Sequence, residues 1–181
     1  GLGDSLQFMR LAPLVQLRHG CEVLLSVQDK LELLARNSVL ADRVVPHAEL
    51  SALRQGQWLS LLSLPGRLGI EPTQPLPPLP RLQPSSQARQ RWAQALTLAA
   101  DPAPIRLGIH WQGDPDHETT SLRGRSLPLE LLAPLAAIPE VTLISLQRGY
   151  GEDQLERCSF RDRFSRAQDI MSENWAFDDM A

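Results

Sequence analysis

Cysteine is scarce in this sequence: of 181 residues only Cys21 and Cys158 are cysteines, far apart and without C-x-x-C spacing. That scarcity excludes a cysteine-rich zinc module and a disulfide-stapled secreted scaffold, and it predicts buried, reduced thiols in a cytoplasmic chain. Around His110 and His117 no second His, Cys or paired carboxylate stands at ligand spacing, and His19 and His47 read as surface histidines. No metal site is expected. Lysine is nearly absent: Lys30 stands alone beside 17 arginines, and 21 acidic residues bring the net charge to -3. Such a chain has no basic field with which to hold nucleic acid. Nor does any apolar run reach the roughly 18 residues of a membrane-spanning helix, so no transmembrane segment is expected. No charged, apolar and small-residue leader opens the chain.

What is present is 43% hydrophobic content, enough to bury a core in one large or two small domains. Asp4 to His19 carries apolar residues at helical spacing, with Gly20 as a stop and Pro13 predicting a kink or a restart. Cys21 to Val27 reads as a buried strand, Asp29 to Asn37 as a helix, and Asp42 to Pro46 and Trp58 to Leu62 as strands. Six prolines crowd Pro72 to Pro84 and predict a semi-rigid extended linker. After it come a helix over Ser86 to Ala99 and a strand over Ile105 to Trp111. A polar loop over Gln112 to Ser126, a helix over Leu129 to Ile138 that must accommodate Pro134, and a strand over Val141 to Leu146 complete the series. The arginine-rich stretch from Gly149 to Ser172 yields no assignment, and Asp178 and Asp179 read as a helix start. This alternation is that of an α/β protein with parallel sheets, whose ligands sit beyond the carboxyl ends of the strands. The expected division is an N-terminal unit over 1–70, a linker with a helix over 71–103, and a second, incomplete unit over 104–181.

Five blocks stand out in order: Gly1-Leu2-Gly3-Asp4-Ser5-Leu6-Gln7-Phe8-Met9-Arg10, Leu61-Leu62-Ser63-Leu64-Pro65, Gly108-Ile109-His110-Trp111-Gln112-Gly113, Arg125-Ser126-Leu127-Pro128-Leu129 and Ile144-Ser145-Leu146-Gln147-Arg148-Gly149. Together they resemble the bacterial glycosyltransferase domains found after tetratricopeptide repeats, relatives of glycosyltransferase family 9, the ADP-heptose lipopolysaccharide heptosyltransferases. The resemblance implies two Rossmann-like units facing each other in the GT-B arrangement. The acceptor would lie on the N-terminal side and the nucleotide-sugar donor on the C-terminal side. It also implies a first strand before Gly1 and a diphosphate-binding loop after Ala181, so the stretch reads as truncated at both ends. Alone, it is expected to bind UDP or ADP only at about millimolar levels and to transfer no sugar. Tetratricopeptide repeats in the same chain are a further implication.

By this resemblance Asp4 matches the general base of an inverting, metal-independent transfer, deprotonating the acceptor hydroxyl. Asp4 also opens an Asp-x-x-Gln with Gln7, a capping-box pattern, so base and cap both stand as readings. Gly1 and Gly3 would form a glycine-rich loop at the site. Arg125, and Arg123 beside it, would meet the donor phosphates, a guanidinium fork taking the part a metal plays elsewhere. Trp111 and Gly113 end a strand where donor would bind, although Trp111 also suits packing, and Ser126 reads as the cap of the next helix. The acceptor, whether protein, lipid or glycan, is not specified. Two rival readings stand. One is a non-catalytic interaction module derived from such a domain. The other is a dinucleotide-binding oxidoreductase, weakened because Leu6 occupies the third glycine of G-x-G-x-x-G and Asp29 lies too far on for the ribose-binding acid.

Overall fold

A computed structural model describes the chain except residues 54, 72, 74, 76, 77, 102, 119–123, 125, 172–175 and 181. It contains two compact units, Gly1–Arg89 together with Trp175–Ala181, and Gln90–Asn174.

The first unit begins with helix α1 (Leu2–Phe8), a 3-10 turn over Met9–Leu11 and helix α2 (Ala12–His19). Pro13 lies in the first turn of α2, where its missing N–H has no partner to lose, so the helix restarts there as its sequence requires. Gly20 ends α2 at φ 61°, a left-handed conformation that glycine adopts without a Cβ clash. Strand β1 (Leu24–Leu25) then pairs in parallel with β2 (Arg43–Val44), and helix α3 (Asp29–Asn37) connects them. The Asp42 carboxylate ties the start of this unit together, accepting from the Val23 N–H at 2.7 Å and the Gln16 side-chain amide at 2.8 Å. Leu31, Leu34 and Ala35 on one face of α3 close the core against Met9, Leu25, Val27, Leu40 and Val44.

Trp58 to Leu62 is not a strand. Among the described residues no strand pairs with it, and Trp58 is 91% exposed. A buried strand needs a hydrogen-bonded neighbour and an inward face, and this segment has neither. It leads instead into a 3-10 turn over Leu61–Ser63 and helix α4 (Leu64–Arg67), with Pro65 again in a first turn.

The described end of the proline stretch is not a free connector but is laid on the first unit. Pro80 offers its carbonyl to Arg10 Nε at 2.8 Å, the Gln83 N–H donates to Ser38 Oγ at 2.9 Å, and Leu82 rests on the core. Prolines lack a donor but keep an acceptor, which is what this anchoring uses. Helix α5 (Ser86–Ala99) follows with Ser85 as its cap, Oγ accepting from the Ala88 N–H at 3.0 Å. The boundary between the units falls within α5, after Arg89, rather than at a separate 71–103 linker.

In the second unit β3 (Ile105–Ile109) pairs in parallel with β4 (Val141–Ser145), in register from Ile105 opposite Val141 to Ile109 opposite Ser145. Pro134 splits the helix expected over Leu129 to Ile138: a 3-10 turn over Leu129–Leu132 gives way to helix α6 (Ala133–Ala136), with the proline in its first turn. The other edge of β4 is covered without a further full strand. The Ser165 N–H donates to the Leu143 carbonyl at 2.7 Å. The Gln168 amide accepts from the Ser145 N–H at 2.8 Å and donates to the Ser145 carbonyl at 2.7 Å. Gln168 thus stands in for a neighbouring backbone. Helices α7 (Gln154–Arg157) and α8 (Ala167–Met171) form where the sequence gives no assignment. Ile109, Trp111, Leu129, Val141, Leu143, Phe160 and Phe164 belong to the core, the two phenylalanine rings stacked at 6.1 Å.

The tail corrects the expected 104–181 unit, because helix α9 (Phe177–Met180) belongs to the first unit. Phe177 packs on that core, and buried Asp178 accepts from the Asn37 side chain (3.2 Å), the Ser85 N–H (2.8 Å) and the Ser85 hydroxyl (2.6 Å). Asp179 caps α9 by accepting from the Ala176 N–H at 3.0 Å. No described helix is long and apolar enough to cross a membrane.

Candidate functional site

The carboxyl ends of β3 and β4 meet around one side chain, Gln147, which is 1% exposed. Its Oε1 accepts from the Trp111 N–H at 3.0 Å and the Gln112 N–H at 2.9 Å, and its Nε2 donates to the Gln112 carbonyl at 2.8 Å and the Tyr150 carbonyl at 2.6 Å. Every hydrogen-bonding position of the amide is thereby used, and the two strand exits are held in one arrangement. Gln112 continues the network by accepting from Gln154 Nε2 at 2.8 Å, and Gln154 Oε1 in turn receives the Leu129 N–H at 2.8 Å. Gly151, at φ 77°, passes so close that a Cβ there would lie 2.3 Å from Gln112 Oε1. Only glycine suits both that backbone and that approach.

Trp111 is 1% exposed, sits in the core of the second unit and donates its indole N–H to the Gly151 carbonyl at 3.1 Å. A sugar or base cannot stack on it without opening that core, so the donor-binding reading of Trp111 gives way to packing. Gly113 does lie at the strand exit, its N–H donating to Ser126 Oγ at 3.0 Å, and the Ser126 hydroxyl donates to the Glu118 carboxylate. Ser126 therefore pins the strand exit instead of capping the following turn, whose cap position is Pro128. Arg123 and Arg125 lie outside the described residues.

In the first unit, α1 begins at Leu2, with Gly1 at the cap position and Asp4 at the third helical position. Asp4 is thus not the cap that its spacing to Gln7 suggests. Its side chain is 51% exposed and Oδ2 lies 2.6 Å from the Gly1 nitrogen, the geometry by which an acidic third residue reaches back to a helix start. Gly3 lies inside the helix rather than in a loop; its backbone is not left-handed, and a Cβ there would meet nothing within 4 Å. No backbone requirement for glycine exists at Gly3. At the carboxyl ends of β1 and β2, Ser26 Oγ and exposed His47 Nδ1 are hydrogen-bonded at 2.6 Å.

Two titrating groups of the second unit are displaced. The Ser159 hydroxyl, and then its N–H, hold the Glu130 carboxyl below the usual carboxylate range. Loss of hydration pushes the half-buried Cys158 thiol up, and the Glu130 charge adds to it against a lowering backbone hydrogen bond from Phe160. Cys21, expected to be buried, is exposed. Gln147, Gln112, Gln154 and Gly151 carry the strand-exit network; Gln112 and Gln147 stand in two of the sequence blocks, whereas Gln154 and Gly151 fall in the stretch that yields no assignment. Comparison with family models, with curated proteins and with solved structures finds no match.

Proposed function

We propose that the chain is part of a glycosyltransferase, one that passes a sugar from a nucleotide-sugar donor to an acceptor hydroxyl by inversion, without a metal and in the cytoplasm. The observation that carries the reading is convergence. Three sequence blocks far apart in the chain, around Gly113, Ser126 and Gln147, meet at the carboxyl ends of β3 and β4, where parallel α/β sheets bind their ligands. In this reading Arg125, next to Ser126, and Arg123 meet the donor diphosphate, and exposed Asp4 in the first unit takes the acceptor proton. The GT-B pairing of two Rossmann-like units belongs to the same proposal. Supporting it, each unit is built on a parallel strand pair.

A second reading is a non-catalytic interaction module, in which Asp4, the third residue of α1, serves the helix start. Turnover separates the two. In the full-length protein, release of nucleoside diphosphate from a panel of UDP- and ADP-sugars is expected, and Asp4→Asn lowers it roughly a hundredfold or more while donor affinity holds. Unchanged turnover with a lower Tm would make Asp4 a helix-stabilising residue only.

A further inference from the structure

Gly3, Leu6, Gln7 and Arg10, spaced three and four apart along one side of the first helical stretch, join Arg81 and Leu82 to line a hollow of about 550 Å³ in the first unit. Arg10 is half-buried and fixed, its Nε donating to the carbonyl of Pro80, the residue before Arg81. Neither Arg10 nor Arg81 has a carboxylate partner among the described residues. Two arginines thus line one hollow beside apolar Leu6 and Leu82 with no carboxylate partner among the described residues, which leaves the hollow with a net positive charge. An anion relieves this.

We infer that the hollow binds a small phosphate monoester, of the sugar-phosphate kind. A phosphate monoester carries about -1.5 to -2 charges near neutral pH, which two guanidinium groups meet, and its oxygens suit their forked donors. A carboxylate would leave one cation unmet. The Gln7 amide offers a donor and an acceptor to a sugar hydroxyl, and the two leucines form a wall for the ring's C–H face. Gly3 contributes no side chain, leaving that side of the hollow open. The site does not involve Asp4 and stands whether or not the chain transfers sugar.

Isothermal titration of the chain with glucose 6-phosphate tests it. Binding with a Kd of roughly 1 mM or tighter is expected, displaced by inorganic phosphate and absent with glucose. Arg81→Ala, at an exposed position and so with unchanged Tm, weakens binding roughly tenfold or more, the loss expected for one charge-assisted contact. Gly3→Leu, which fills the hollow and removes no charge, weakens it as much. Arg89→Ala, another exposed arginine of the same unit, leaves binding as it was. The inference is overturned by no binding at about 10 mM, by unaltered binding in both Arg81→Ala and Gly3→Leu, or by an equal loss in Arg89→Ala, which would indicate diffuse charge.

Discussion

Glycines of one sequence type carry opposite physical demands in this chain. At Gly151 a left-handed backbone coincides with the Gln112 side chain, so Gly151→Ala meets both conformational strain and a clash. A loss of about 1–3 kcal/mol follows, measurable by urea denaturation. Gly3 lies in a helix with open space around it, so Gly3→Ala is expected to be neutral or to stabilise by up to about 1 kcal/mol. A destabilised Gly3→Ala would show that the helix start is not as described. The two thiols differ in the same residue-by-residue way. Cys21 is exposed, whereas the Cys158 thiol is raised by loss of hydration and holds less thiolate at a given pH. Because thiolate is the reacting form, iodoacetamide at mildly alkaline pH should label Cys21 roughly tenfold faster, and Cys158 should catch up as pH rises. Peptide mass spectrometry reads the order, and equal rates would contradict it.

Among the elements, the β3 and β4 exits are joined beyond their ladder by one amide. Gln147→Leu keeps much of the volume but leaves two N–H groups and two carbonyls to find other partners, at a cost of about 3 kcal/mol in the second unit. Thermal or chemical unfolding checks it; a change near zero would mean that water replaces the amide. The same contrast explains what was legible beforehand. α3 and α5 occupy the ranges their periodicity marks, because a helix satisfies its backbone locally and its apolar face is written within a few turns. Pro13 likewise announces its own restart. Strand pairing and amide bridges join residues far apart, and nothing near Gln147 or Gln168 in the chain tells of Trp111 or Ser145. Trp58 to Leu62 misled for this reason: it is apolar enough for a strand, but no partner comes to it among the described residues. Asp4 and the Gly1-Gly3 stretch were placed at a helix start correctly but off by the turn that decides which residue caps.

For the whole molecule, the second unit is an insertion within the first, which it interrupts after Arg89 and returns to at Trp175. The seam is Asp178, bonded to Asn37 and Ser85 across 141 and 93 residues of chain. Asp178→Ala leaves those donors without their acceptor and should cost the first unit about 3 kcal/mol. Hydrogen exchange would then quicken in α3 and at the start of α5 and stay unchanged in β3 and β4. A uniform change, or none, would deny the seam its role. The arrangement also sets an order of events during synthesis. At roughly 5–20 residues per second, the ribosome takes several seconds to deliver the inserted unit, and throughout that interval Asn37 and Ser85 wait with their acceptor not yet made. Of the two units, the one whose synthesis begins first is therefore the one completed last.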